Sequence, residues 1–324
     1  MTKPIIPLVS ICLITYNHEK YIRQAVESVL SQTTDFPIEI IIGEDCSTDD
    51  TPSIVLELEK KYPKIIRVIL SPKNLGTSRN IIRTMEQCKG KYIALLGGDD
   101  FWLSPFKLMK QVKFLEDHPE CTICFHSAEV YIQETGKIRG VFPDYEMPGI
   151  TTIKDLIKDS YIPACTLMYR NIPIEKMPSA YYDLRIEDWP LSILHAKKGN
   201  IGYINEVMAQ YRVHSNAAFS QLSFLQKLEA NLNAREFAYL FIADIPKKEL
   251  GTVIVILCFQ IANLYCDQNN LSSAQKKIFK SFSYFSYYIY FPDKLHLLKV
   301  FLRAFFPRLV SLVRYIKQKF VKKI

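Results

Sequence analysis

Two acidic pairs in this chain are placed to do chemistry. Asp99 and Asp100 close the stretch "YIALLGGDDFW", where an apolar run that reads as a buried strand ends in adjacent carboxylates. Like charges side by side repel, and burying them without a partner is costly. An all-oxygen pair at a strand end suits a hard divalent cation, Mn2+ or Mg2+, whose open positions phosphate oxygens fill. The preceding Gly97 and Gly98 allow a ligand close to the backbone. The second pair, Glu187 and Asp188, opens "IEDWPLSILHAKKG". Taken alone it reads as negative charge at a helix's positive end. A lone histidine is more often structural, and His18, His126 and His195 are assigned that way.

The elements that position these acids are legible. "LVSICLITY" (Leu8–Tyr16) is a continuous apolar run, as in a strand buried on both faces. In "YIRQAVESVLSQ", Ile22, Ala25, Val26, Val29 and Leu30 fall on one helix face. "IEIIIGED" (Ile38–Asp45), "IIRVIL" (Ile65–Leu70) and "KYIALL" read as further strands, separated by helices at "STDDTPSIVLELEKKY" and "SRNIIRTMEQC". Pro52 suits the first turn of the former. Strands alternating with helices imply βαβ units and a parallel sheet, with ligands at the carboxyl ends of the strands. "TYNHEKY", "GEDCSTDD" and "GGDDFW" all fall there, so Asn17, Asp45, Asp99 and Asp100 are expected to converge. Beyond them come a helix capped by Ser104, a hairpin around Gly136, a strand at "PACTLMYR", a helix ended by Gly199 and an extended stretch to His214. From about residue 218 the pattern is entirely helical.

Composition narrows the class. A 48% hydrophobic, 23% charged chain of 324 residues is globular rather than disordered. The +8 net charge is concentrated after Asp293, where nine Lys or Arg and no acid follow, so no general nucleic-acid surface is indicated. The eight cysteines mostly sit in apolar runs, which suits a reducing compartment. Cys121 and Cys124 have a C-x-x-C spacing but lie in a strand-like run with no second pair nearby, and core packing is the expectation. "TVIVILCFQIANLYC" (Thr252–Cys266) is short for a membrane span and carries Gln260 and Asn263, so a buried helix is expected.

In order and spacing, "VSICLITYNHEKYIRQAVESVLSQ", "IEIIIGEDCSTDDT", "NLGTSRN", "GKYIALLGGDDFW" and "IEDWPLSILHAKKGNIGYINEVMAQYRVH" resemble an inverting family 2 glycosyltransferase of GT-A fold, over roughly residues 8 to 215. The resemblance implies an α/β, Rossmann-like nucleotide-binding sheet with an acceptor-side extension, followed by an α-helical C-terminal region. The GT-A domain would span residues 1–217, with a nucleotide-sugar half to about 102 and an acceptor half from 103; the helical region would be 218–324. It further implies that Ile14, Thr15, Tyr16 and Asn17 surround the nucleotide base, and that Asp45 contacts base or ribose. Asp99 would meet the ribose and Asp100 the metal. Many members have Asp where Gly97 stands here, so the motif is shortened. Arg79 would face the pyrophosphate. Asp188 would be the base that deprotonates the acceptor hydroxyl, with Glu187 in reserve. His214 would complete the metal shell, and Arg212 would reach phosphate.

The implied reaction moves a sugar from a nucleotide diphosphate sugar, UDP-sugar favoured, to a glycan or lipid-linked acceptor in bacterial surface polysaccharide assembly. In residues 294–324 the apolar Leu298, Leu302, Phe305, Leu309, Leu312, Ile316 and Phe320 recur between basic residues, and Pro307 should break the helix. Such a basic amphipathic tail suits an anionic membrane surface, placing a cytoplasmic protein peripherally on the inner face. Two other classes are weaker. A sugar-nucleotide nucleotidyltransferase wants a Gly-rich basic loop where "TYNHEKY" stands. A non-catalytic glycan- or membrane-binding protein would be free to lose Asp45, Asp99, Asp100 and Asp188, and all are present.

Overall fold

The architecture comes from a computed structural model, and residues 6–173, 176–217, 219–284, 294–307 and 310 are described. The chain divides into two compact units, Met1–Gln221 and Leu222–Ile324.

The first unit opens with β1 (Val9–Thr15), α1 (Ile22–Leu30), β2 (Ile38–Glu44), α2 (Thr51–Lys61), β3 (Ile66–Leu70), α3 (Thr77–Met85) and β4 (Tyr92–Gly97). These four strands are parallel, with β1 central between β2 and β4 and β3 outside β2. Helices on the sheet explain the unbroken apolar runs. Ile11 and Leu13 of β1, Ile40 and Ile42 of β2 and Ala94 and Leu96 of β4 all join one core with Ile22, Ala25, Val26 and Val29 of α1. Each large aliphatic side chain buried there stabilises the fold by about 1.5–3 kcal/mol.

The acceptor-side half is mixed. β5 (Phe101–Trp102), α4 (Lys107–Asp117), β6 (Cys121–Ile132), β7 (Lys137–Phe142), β8 (Ile150–Thr151), α5 (Ile153–Lys158), β9 (Met168–Arg170), α6 (Asp188–Ala196) and β10 (Asn200–Val213) follow. The sheet runs β3, β2, β1, β4, β9, β6, β10, β5, with β7 added on β6 and β8 on β10. β9 is antiparallel to both neighbours, β4 and β6, whereas β6 and β10 are parallel. This is the α/β sheet the sequence implied, parallel at one end and mixed at the other.

Three expected boundaries move. α4 begins at Lys107, because Ser104 Oγ instead accepts the Phe106 N–H in a local turn (3.3 Å) and Gln32, just past the end of α1, accepts the Leu108 N–H (3.1 Å). The strand at "PACTLMYR" shrinks to β9, since Thr166 turns back on the Pro163 carbonyl through both its N–H and its hydroxyl. α6 ends at Ala196, before Gly199. Cys121 and Cys124, three apart on β6, point to opposite faces, which is no chelate or dithiol geometry.

The second unit is helical: α7 (Phe224–Phe241), α8 (Lys247–Asp267), α9 (Leu271–Ser281) and α10 (Lys294–Phe305). Ser223 and Gln226 form a reciprocal capping box on α7, and Asn270 caps α9. α8 is longer than expected. It is long and apolar enough to cross a membrane, and 56% of its most apolar stretch is buried within the structure. α10 turns Leu297, Val300 and Ala304 inward and leaves Leu295 and Leu298 exposed. Arg303 of α10 pairs with Asp267 (2.5 Å). α10 stops at Phe305, before Pro307. Leu309, Leu312, Ile316 and Phe320 of the expected stripe lie outside the described residues.

Candidate functional site

The carboxyl ends of β1, β2 and β4 are stitched together by backbone bonds. Gly98 N–H donates to Ile14 C=O (2.8 Å) and Asp45 N–H to Thr15 C=O (3.1 Å). Residues expected to converge are thus brought to one edge. Asn17, with φ of 55°, takes a left-handed conformation that Asn tolerates. Its side-chain oxygen accepts the Thr48 N–H (2.8 Å), and its own N–H donates to Ser47 Oγ (2.9 Å). Asn17 therefore joins the loops after β1 and β2. Glu44 holds the latter loop from below, accepting from Cys46 N–H (3.1 Å) and Ser47 N–H (2.7 Å). Tyr16, 40% exposed, keeps its ring at the surface of this edge, with Ile14 half-buried and Thr15 buried beneath.

Asp45 is buried and committed to the loop before α3. Its two oxygens accept the Leu75 and Gly76 N–H groups, each at 2.9 Å. Burial pushes its carboxyl above the usual range, against those two bonds. Arg79, on α3, stacks on the Tyr182 ring (4.7 Å to the centroid), and Ser78 Oγ donates to Leu184 C=O (3.1 Å). The expected pyrophosphate residue is thus found tying α3 to the segment that leads into Glu187 and Asp188.

The aspartates at the end of β4 have unlike surroundings. Asp100 is 6% exposed, and its Oδ1 accepts the Arg212 backbone N–H (2.8 Å). Burial, reinforced by the Asp99 charge, pushes its carboxyl well up. The Asp99 side chain is 20% exposed, and its Oδ2 lies 3.2 Å from His214 Nε2 and 3.7 Å from His18 Nε2. Burial would raise Asp99, but His18 and the His214 bond outweigh it and hold the carboxyl below its ordinary value. Burial in turn lowers His18, against the raising influence of the Asp99 charge. His214 therefore stands with Asp99, whereas the expected metal set joined it to Asp100.

Gly97 and Gly98 make this packing possible. A Cβ on Gly98 would lie 2.6 Å from Thr15 Oγ1 and 2.9 Å from His18 Nδ1. A Cβ on Gly97 would lie 2.7 Å from Asp99 Oδ1. The missing side chain at 97 is replaced, in space, by the Asp99 carboxylate.

Arg212 does not reach outward. It is buried, with Nε bonded to Asp99 C=O (2.7 Å) and its two terminal nitrogens to Gln24 (2.7 Å) and Gln133. Its guanidinium also lies against Tyr21, Phe101 and Tyr131. This packing makes it the frame behind the acids rather than a phosphate ligand. His18, expected to be structural, lies instead against the Asp99 carboxylate. Its position, within "TYNHEKY" at the same strand edge as Asp99, was the available signal.

Glu187 and Asp188 stand at the N-terminus of α6, half-buried. Burial, then the Asp188 charge, pushes Glu187 up to about 8, and burial also raises Asp188. Asp188 accepts the Trp189 N–H (2.8 Å), and Tyr181 donates to the Glu187 carbonyl (3.1 Å).

A divalent cation can be tested against this residue set. Among the described residues no group of three or more His, Cys, Asp or Glu side chains is placed to hold a metal ion by itself. Asp99 and His214 supply one anionic oxygen and one imidazole nitrogen at a partly open edge, a set that suits a cation sharing its remaining positions with a substrate. Thr15 Oγ1, His18 Nδ1 and His214 Nδ1 are buried there without a protein partner. Such groups cost about 1–3 kcal/mol each when unsatisfied, so the edge is built for polar chemistry beyond the chain's own. The residues fit the group.

Comparison with known proteins bears on the family and the fold. Residues 10–172 match the family model described as Glycosyl transferase family 2. An uncharacterised protein of Mycobacterium tuberculosis is 38% identical over 211 residues, covering 64% of this chain. The chain spans only 59% of that relative's length. The UDP-Glc:alpha-D-GlcNAc-diphosphoundecaprenol beta-1,3-glucosyltransferase WfaP of Escherichia coli is 32% identical over 212 residues, 65% of this chain and 79% of WfaP. The crystal structure of Staphylococcus aureus TarS 1–349 with UDP-GlcNAc superposes with a TM-score of 0.64 at 16% identity, covering 91% of this chain and 88% of that one. The fold is GT-A, and the chain belongs to glycosyl transferase family 2.

Proposed function

We propose that this protein transfers a sugar, with inversion, from a nucleotide diphosphate sugar to a hydroxyl of a glycan or lipid-linked acceptor. UDP-sugar is the favoured donor, and bacterial surface polysaccharide assembly is the setting. Support comes from the family, from WfaP, whose name describes a UDP-Glc donor and a diphosphoundecaprenol-linked acceptor, and from TarS, which is complexed with UDP-GlcNAc. The observation that carries the reading is the asymmetry of the β4 acids. One is buried and spoken for, while the other is ionised, partly exposed and beside an imidazole.

The roles follow from that asymmetry. Tyr16, Ile14, Thr15 and Asn17 border the base, and Asp45 fixes the loop that closes beside it. Asp99 and His214 would hold Mn2+ or Mg2+, with Asp100 as the buried support that keeps Arg212 in place. When bound, the cation supplies positive charge against the departing diphosphate. Asp188 takes the proton from the acceptor hydroxyl as its oxygen bonds to the anomeric carbon, and the nucleotide diphosphate leaves with the electrons of the broken C–O bond. Glu187 holds its proton to about pH 8, and Asp188, at the helix start beside it, is assigned the proton-accepting role. A cytoplasmic location at the inner membrane face is part of the proposal. It draws on the basic residues after Asp293 and on Leu295, Leu298 and Phe306, which stay exposed at α10.

Titration calorimetry against UDP, GDP and their sugars, with and without Mn2+, tests the reading. Cation-dependent binding of one nucleotide, lost in Asp99→Ala and kept in Asp100→Asn, is the expected outcome. Folded protein that binds none of them would sink it.

A further inference from the structure

An open cavity of about 550 Å³ is lined by β6, β10, the end of β7 and the segment after it. Its volume lies within the roughly 300–1,000 Å³ typical of small-molecule sites. A bulge in β10 shapes it. Ile204 pairs with His126 and Val207 with Ser127, so Asn205 and Glu206 are two extra residues on one strand. Those two residues line the cavity. Bulges of this kind re-aim side chains and cluster near functional sites.

The lining has a definite chemistry. Ser127 Oγ and Tyr203 OH share a hydrogen bond (2.6 Å), and Tyr203 OH donates to Asn205 Oδ1 (3.2 Å). That bond orients the Asn205 amide and leaves its NH2 as the group on offer. Tyr145 is 47% exposed, yet its hydroxyl is anchored on Asp159 Oδ2 (3.0 Å), so a flat ring is held at the rim. Asp144 and Glu206 add acceptors. None of the lining residues is basic, and nearby Lys110 is engaged by Glu206. An anionic ligand such as a phosphate finds no counter-charge here. A neutral pyranose does: its C–H face packs on an aromatic ring, and its hydroxyls meet carboxylate, amide and phenol groups.

We infer that this cavity is a second carbohydrate subsite, which holds a neutral sugar of the acceptor beyond the unit that reacts. The inference rests on the sugar-transfer reading above. From Val207 to Arg212, whose N–H holds Asp100, β10 runs alongside Ser127 to Tyr131 of β6, roughly 13 Å at about 3.3 Å per residue. That is farther than one pyranose ring, so the subsite recognises the body of an oligosaccharide rather than its reacting end.

The test titrates the full-length protein with methyl β-glucoside, cellobiose, lactose and N,N′-diacetylchitobiose, and with inorganic pyrophosphate as the anionic probe. A neutral disaccharide should bind, and Tyr145→Ala and Asn205→Ala should each weaken it roughly tenfold. Both variants should keep wild-type UDP-sugar affinity and slow donor hydrolysis to water, neither of which needs the subsite. Both side chains sit at the surface, and melting curves verify the fold; should one variant unfold, the other carries the test. Absence of any glycan binding, binding unmoved by both substitutions, or pyrophosphate competing for the same cavity would each overturn the subsite. Glycan binding without nucleotide binding would leave the subsite standing and remove the transfer reaction. Nucleotide binding and donor hydrolysis without glycan binding would do the reverse.

Discussion

The acid pair at the end of β4 and the acid pair at the start of α6 face the same electrostatic problem, and the chain solves it in two ways. Around Asp99 and Asp100 it brings partners: two imidazoles for one carboxylate, a backbone N–H for the other. The result is one ionised and one suppressed acid. Around Glu187 and Asp188 it brings mainly burial, and both carboxyls rise. Partnered charge suits holding a cation or a diphosphate. A carboxyl raised by burial is a stronger base, which suits taking a proton.

The largest expected effect breaks the second pair. Asp188→Asn should lower kcat by about 10²–10⁴-fold while leaving donor affinity intact, as steady-state kinetics beside calorimetry would read. The first pair is tested by substituting its members separately. Asp99→Asn should erase the Mn2+ dependence of nucleotide binding, and Asp100→Asn should preserve it. If the two behave alike in calorimetry, the asymmetry between them has no functional meaning. Asp100→Ala should instead cost stability, about 1–3 kcal/mol, by orphaning the Arg212 N–H, as denaturant titration would show.

A finer distinction comes from pH. Glu187 binds its proton more tightly folded, to about 8, than its ordinary value of 4.5. Its contribution is therefore fully present below about pH 4.5 and is lost as pH rises through 8. Tm followed from pH 4.5 to 8.5 should fall less steeply in Glu187→Gln than in the wild type. The smallest effect concerns the tie between the regions. Tyr182→Ala removes the Arg79 stacking, worth about 0.5–1 kcal/mol at an exposed site, and should raise the donor KM a few-fold with little change in Tm.

How much of this was readable in advance depended on whether local pattern or tertiary context decided it. β1, β2 and β4 declared themselves because strands buried on both faces must be apolar throughout, and their order dictated which loops would meet. The face of α1 was likewise set by spacing alone. The start of α4 was not, since the side chain that accepts its Leu108 N–H, Gln32, comes from the loop after α1, far away in the chain. The split of labour between Asp99 and Asp100 was also hidden. It depends on Arg212 and His214, more than a hundred positions away in the chain. Arg212 read as a phosphate ligand because nothing local announces Gln24, Gln133 and three aromatic rings closing around it.

Gly97 carries a consequence of a different kind. Any side chain there would press on Asp99 Oδ1, and Asp99 could yield only by turning, at the expense of its contact with His214. Positions 97 and 99 are therefore epistatic. An aspartate introduced at 97 would have to displace the Asp99 carboxylate from its present rotamer. The space that Gly97 leaves empty is thus the space the Asp99 carboxylate occupies to meet His214, and the motif's shortness and the acid's orientation are one feature seen twice.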